Sequence, residues 1–427
     1  MVLLKTQLLL LFGLVVLLSC RDAGSQTSMS SATAAVSSHA PVISEKDRLA
    51  YANRIAPFVD SLFRYGSLNG SVLVAKGGEI IYERYEGKFR YKQTSDSILP
   101  ESPFHLASVS KTITATAVLH LVQEGKLDLN ADLADIFPQW PLTGVTVKTL
   151  LNHRSGLPNY VHYMEVLGWD KRQRITNQDV LDFIIARHEE IDIARPDRGF
   201  NYSNTNYALL ALVAEKISGQ SFQQYVQQTI FDPLLMKDSY VFSLNDSARA
   251  MPSYFYNGRQ YAFDFLDLVY GDKNIYSTVR DLMKFDHALH EGKLVNDSLQ
   301  QQAYTPYSNE KPGTHNYGLG WRMLLLKNGK KIIYHNGWWH GNRTAFYRLI
   351  DEDVTIIALC NNDSRRVYEV KKMADLFGNY LQRGDKEEER EIVRATPRSK
   401  KKKQPNRSLA SRNKRTAIHG SHPSSKK

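Results

Sequence analysis

The chain has 427 residues, enough for one large domain or two modest ones, and its 42% hydrophobic and 23% charged residues are those of a soluble globular protein. Its net charge of +11 suggests a polyanion-binding surface until the charges are located. From residue 391 onward twelve Lys/Arg stand against one acid, Glu391, while the other 390 residues balance at 43 basic and 43 acidic, so the folded part is neutral and the basic character belongs to the tail.

Lys5 precedes an apolar run from Leu8 to Leu18, too short to span a bilayer as a mature helix. It ends in Leu17-Leu18-Ser19-Cys20, which resembles the lipobox of bacterial lipoprotein signal peptides, with Cys20 as the lipidated residue. The other reading, an ordinary secretory signal with an incidental cysteine, exports the protein as well. Residues 1–19 are therefore read as a signal peptide, and the mature protein is expected in the bacterial cell envelope, tethered to membrane through Cys20. Residues 20–44, rich in Ser, Ala and Thr, read as a stalk. With Cys20 lipidated, Cys360 has no partner, and its apolar strand context predicts a structural thiol.

The main domain is expected over 45–384. A helix is predicted from Glu45 to about Arg64, a strand pair between Gly70 and Tyr85 turning at Lys76-Gly77-Gly78, and a helix after Ser108 that Gly125 closes. Residues 126–240 read as mainly helical, with clear periodicity over Val180–Arg187 and Tyr207–Ser218. Residues 331–334, Arg343–Ile350 and Val354–Cys360 read as strands, followed by a helix from Val367 to about Leu381. Strands at both ends with helices between predict an α+β fold, an α/β sandwich. Its antiparallel sheet is built from the N- and C-terminal segments, and a mainly helical region is inserted at about 126–310. The basic segment 385–427 reads as a disordered tail without aromatic interleaving, so specific nucleic-acid recognition is not expected.

Three short motifs carry the chemistry. Ser108-Val109-Ser110-Lys111 puts an amine one helical turn from a hydroxyl, as an activated serine nucleophile requires. Ser-x-x-Lys recurs at Ser308, Ser399, Ser411 and Ser424, but only Ser108 is followed by an apolar helix that can anchor it. The second motif is Tyr202-Ser203-Asn204 and the third is His335-Asn336-Gly337. Alone, Tyr202 reads as a surface tyrosine at a helix start and His335 as a strand histidine.

In this order the motifs resemble those of the serine β-lactamase-like superfamily: class C β-lactamases, DD-carboxypeptidases and related esterases. Phe104-His105-Leu106-Ala107, the segment Leu150–Pro158, Phe231–Met236, Ile275–Thr278 and Tyr317-Gly318-Leu319-Gly320-Trp321 are similar to family segments, so the resemblance covers about residues 46–382. It implies a β-lactamase/transpeptidase-like fold and a serine hydrolase acting on an ester, an amide or a peptidoglycan peptide. Ser108 is implied as the nucleophile, and Lys111 and Tyr202 as one coupled acid–base unit in which either is the base. Asn204 would bond Lys111 or a substrate carbonyl, and the N–H groups of Ser108 and Trp338 would form the oxyanion hole. Gly337 would let substrate approach the strand. No cofactor or metal is implied, and His153 and His340 read as structural or cleft residues without metal-ligand spacing.

The sequence departs from the lactamase pattern at His335 and Asn336, which stand where a lysine and a hydroxyl residue meet a substrate carboxylate. A partly charged histidine puts carboxylate recognition in question and favours an esterase or peptidase over an efficient β-lactamase. Trp338, Trp339 and His340 are either core aromatics at a strand end or groups that narrow the cleft. A reading of another class is a non-catalytic lipoprotein that holds cell-wall fragments or a partner.

Overall fold

The computed structural model describes residues 43–382 apart from 67, 94 and 312; Cys20, the signal-like segment, most of the stalk and the basic tail lie outside the described residues. The strand pair forms as β1 (Gly70–Lys76) and β2 (Glu79–Glu86). Its two-residue turn, Gly77-Gly78, has both φ angles positive, at 58° and 74°, as a tight hairpin needs. Two short strands follow, β3 (Phe104–His105) and β4 (Tyr240–Val241), then β5 (Ile275–Ser277). The C-terminal meander is β6 (His315–Tyr317), β7 (Arg322–Leu325), β8 (Lys331–Trp339), β9 (Asn342–Leu349) and β10 (Val354–Cys360).

β1 pairs with β10, so the N-terminal hairpin completes a seven-stranded antiparallel sheet of order β2-β1-β10-β9-β8-β7-β6. The sheet is thus assembled from the two ends of the domain, as expected. β10 is buried at every residue, which explains its continuous Val-Thr-Ile-Ile-Ala-Leu-Cys run. Period two divides the sheet between two cores. Val72, Val74, Ile356 and Ala358 face a layer formed by α1 (Glu45–Gly66) and the C-terminal helical segment, while Leu73, Ala75, Ile357 and Leu359 face the main helical layer.

The main layer is built round α2 (Ser110–Gln123) and α3 (Asn204–Ser218), which pack on each other. Both are buried over most of their circumference, Ser110–Leu119 in α2 and Thr205–Ala214 in α3, so each is a core helix. β3, β5 and β4 form a second, three-stranded sheet, and β4 and β5 lie within the region read as mainly helical. The C-terminal helix differs from expectation: it is a 3₁₀ segment over Arg365–Leu376. Its buried residues repeat every three, Val367, Val370 and Met373 in one row and Tyr368, Lys371 and Ala374 in the next, which matches three residues per turn. Cys360 is free and buried, and burial pushes its thiol up to about 11, so it is a packed thiol. No helix among the described residues is long and apolar enough to cross a membrane.

Candidate active site

Ser108 sits in a 3₁₀ turn, Ala107–Val109, that leads into α2, and it is half-buried between fully buried neighbours. Ala107 before it has φ 49°, a left-handed conformation costly for a residue with a Cβ. The surroundings hold that conformation. The Ala107 N–H donates to His105 Nδ1 (2.9 Å), so the His105 proton is on Nε2, which bonds Asn274 Oδ1 (2.7 Å). Burial lowers the His105 pKa to about 4, keeping this tautomer neutral. Leu106 donates its N–H to Ile275 O in β5 (2.8 Å) and accepts from Thr344 Oγ1 in β9 (2.7 Å).

Lys111, in the first turn of α2 and three residues after Ser108, is fully buried. Its Nζ donates to Ser108 Oγ (3.1 Å), Asn204 Oδ1 (2.9 Å) and the Asp272 carbonyl (2.6 Å). Three oxygen acceptors match the three N–H donors of an ammonium. The same nitrogen lies 5.1 Å from the Tyr202 ring centroid and 5.6 Å from that of Tyr207. The first two motifs, 93 residues apart, therefore meet at one nitrogen.

Tyr202-Ser203-Asn204 enters α3 through Ser203, an extended residue. His153 secures this turn. It has φ 59° and its Nδ1 accepts from Asn206 Nδ2 (3.0 Å) and the Ser203 N–H (3.3 Å), while its carbonyl accepts from the Asn201 N–H (2.9 Å). The ring lies 4.3 Å from that of Tyr202. Burial, with smaller contributions from Lys111, His335 and Arg322, holds His153 well below the usual imidazole range.

His335 comes to the same cluster but is not the partly charged group expected. It is fully buried, Nδ1 donates to its neighbour's carbonyl Asn336 O (2.8 Å), and Nε2 accepts from Tyr317 Oη (3.1 Å). Burial first, then the charges of Arg322 and Lys111, push its pKa well below 6.5, so it is a neutral imidazole. Gly337 permits a close approach: a Cβ there would lie 2.2 Å from Thr344 Oγ1 and 2.5 Å from Leu106 O. This packs β8 directly on the turn that carries Ser108. β7 pairs only with residues 331–334 of β8, so the following residues, Asn336 and Trp338 among them, have no described strand on that edge. Alternation puts His335, Gly337 and Trp339 on the face toward Ser108 and Asn336 and Trp338 on the other. The Trp338 ring stacks on Arg343 (4.6 Å) and is 43% exposed, so its side chain does not narrow the cleft; only its backbone faces the site's strand edge.

The sequence did not reveal three further participants. Asp272 supplies the carbonyl that holds Lys111, and its buried carboxylate meets Lys273 Nζ (3.2 Å) and Tyr160 Oη (3.2 Å). Lys273 also bonds Tyr160 Oη, lies 4.6 Å over Trp339, and is lowered chiefly by burial. Arg322, after Tyr317-Gly318-Leu319-Gly320-Trp321, places its guanidinium 4.8 Å over the Tyr202 ring. A cavity of about 140 Å³ lies beside this cluster: His105, Asn274 and Trp339 wall it, whereas Ser108, Lys111 and Tyr202 do not.

Residues 51–378 match the Beta-lactamase family. Penicillin-binding protein 4* of Bacillus subtilis is 32% identical over 336 residues, which cover 73% of this chain and 72% of that protein. The putative penicillin-binding protein PbpX of the same organism is 27% identical over 287 residues, 62% of this chain and 69% of its own length. Among solved structures, a penicillin-binding protein from Bacillus halodurans superposes with TM-score 0.65 at 24% identity, covering 74% of this chain and 98% of that one. D-amino acid amidase from Ochrobactrum anthropi gives 0.61 at 23%, covering 76% and 96%. These two likenesses show a shared fold.

Proposed function

We infer the function from one premise: the chain belongs to the beta-lactamase family. It is a serine hydrolase, and the reading best supported is the DD-peptidase or amidase type, cleaving an amide through an acyl-enzyme. The observation that carries this reading is Lys111 Nζ, buried and within 3.1 Å of Ser108 Oγ while Asn204 and Asp272 fix it from the other sides.

Ser108 Oγ attacks the acyl carbon as its proton leaves. With all three Lys111 N–H groups engaged, the coupled partner Tyr202, whose ring centroid lies 5.1 Å from Lys111 Nζ, is taken as the proton acceptor. The oxyanion takes the backbone N–H groups of Ser108 and Trp338. The C–N bond breaks as Tyr202 returns the proton to the leaving amine, and water then cleaves the Ser108 ester by the reverse proton route. Asn204 and the edge of β8 hold the substrate amide. Because His335 is neutral, Arg322 takes the part of the cation for a substrate carboxylate such as a peptide C-terminus.

Export and anchoring at Cys20 rest on the lipobox-like Leu17–Cys20 alone and belong to this proposal; fatty-acid labelling of wild type but not Cys20→Ala would support them. The reaction is tested on a panel of D-amino acid amides, D-Ala-D-Ala peptides, p-nitrophenyl esters and nitrocefin, with Ser108→Ala as control. Hydrolysis of amides with a free carboxylate, raised in KM more than lowered in kcat by Arg322→Met, is expected. Turnover of nitrocefin alone would overturn the amidase reading.

A further inference from the structure

The cavity beside the catalytic cluster is lined by Asp267 and His340, and with Asp264 these form a group that the mechanism does not use. Asp264 and Asp267 lie in the loop before β5, and His340 at the tip of the β8–β9 hairpin, 73 residues beyond Asp267. One ligand atom from each falls within 4.8 Å of the others. His340 Nε2 is 3.1 Å from both oxygens of Asp267. That spacing is a hydrogen-bonded ion pair as it stands, and it also fits one ion, whose adjacent ligands at about 2.0–2.2 Å are themselves about 3 Å apart.

Two more features bear on what the group holds. Among the described residues neither carboxylate is paired with Lys or Arg; their one ion-pair partner is His340. The cations nearby are committed elsewhere, Lys273 to Asp272 and Tyr160, and Arg90 to Asp96 and the Ala248 carbonyl. Independently of the acids, Asn342 lines the same cavity, is 4% exposed, and its Oδ1 accepts no hydrogen bond. A buried amide oxygen without a donor is unfavourable, and a cation beside it would relieve it. Asp267 also has the outer support common to metal ligands: Trp339 Nε1 donates to its Oδ1 at 2.7 Å.

We propose that Asp264, Asp267 and His340, completed by the amide oxygen of Asn342, bind one divalent transition-metal cation. Three oxygens and one imidazole nitrogen suit Zn²⁺ or Mn²⁺. The ion ties the loop before β5 to the β8–β9 hairpin. The same two segments carry Asp272, which holds Lys111, and Trp338, whose N–H is assigned to the oxyanion, so the metal would brace the site from outside without touching substrate.

The test uses the full chain without an affinity tag, stripped with EDTA and titrated calorimetrically with Zn²⁺ and, separately, Mn²⁺. One equivalent is expected to bind the wild type and raise its Tm. Asp264→Asn and His340→Gln are each expected to weaken that binding at least tenfold, and Asn342→Leu to weaken it less. Co²⁺ loaded into the wild type reads the site without any variant, through the visible bands of a nitrogen–oxygen ligand set. The proposal fails if the wild type binds neither metal saturably, or binds equally well in Asp264→Asn and His340→Gln variants that remain folded by circular dichroism. It also fails if the Co²⁺ spectrum is that of the aqueous ion.

Discussion

Gly337→Ala is the sharpest probe of how the third motif meets the nucleophile. The added methyl would lie 2.2 Å from Thr344 Oγ1, 2.5 Å from Leu106 O and 3.0 Å from Ala107 Cβ, and two of these neighbours belong to the turn that presents Ser108. Ordinary contact begins near 3.4 Å, so β8 and the turn must separate by roughly 1 Å. Overpacking of this kind costs about 1–3 kcal/mol of stability. A misplacement of about 1 Å in a catalytic group costs on the order of 100-fold in rate, so activity should fall further than stability. The assay is the second-order rate of labelling by a fluorophosphonate or a fluorescent penicillin, with thermal melting alongside. Gly313→Ala is the control, because nothing lies within 4 Å of its added carbon. Labelling of Gly337→Ala within threefold of wild type would refute the packing of β8 on the nucleophile turn.

Two stability predictions follow from other buried groups. Arg348, 2% exposed, bonds Asp286 and Tyr304, and Thr355 also bonds Asp286, so Arg348→Met strands a buried carboxylate and should cost about 3–5 kcal/mol in denaturant unfolding. Arg348→Met with Asp286→Leu should recover much of that loss. His105 supplies a pH dependence: its folded pKa, about 4, lies below the unfolded 6.5, so the folded state binds fewer protons in that window. Its stabilisation is full above pH 6.5, declines as pH falls, and is lost below about 4, amounting to about 3 kcal/mol. His153 and His335 are shifted in the same direction and steepen the slope. Urea unfolding of His105→Gln against wild type from pH 7 to 4 checks it; parallel curves would contradict the neutral, turn-holding role.

Features carried by local pattern were legible. The Gly77-Gly78 hairpin, α2, α3 and the strands from Lys331 to Cys360 follow from turn chemistry and apolar period, and the order of three motifs picks out Ser108, Lys111, Tyr202, Asn204 and His335, which the fold brings together. What depends on burial was not legible. His335 looked half-charged because a sequence shows a residue's intrinsic pKa and not its desolvation. Trp338 read as either a core aromatic or a cleft residue, and it is neither: the register sets it beside Arg343, exposed on the other face of the sheet. Asp272, Lys273 and Tyr160 gather at Lys111 through contacts more than 100 residues apart, and the Asp264–Asp267–His340 group joins two segments with no ligand spacing in either. The 3₁₀ segment was readable in part: its three-residue apolar period, Val367-Val370-Met373, is visible in the chain, but the helical spacing masked it.

The central claim is that Ser108 becomes acylated with Lys111 as the group that poises it. Intact-protein mass spectrometry after incubation with a fluorophosphonate or a penicillin, followed by peptide mapping, tests this directly. The account predicts one adduct per chain, on Ser108, absent from Ser108→Ala and formed at least 100-fold more slowly in Lys111→Met. An adduct on any other residue, or equal labelling of Ser108→Ala, would contradict it.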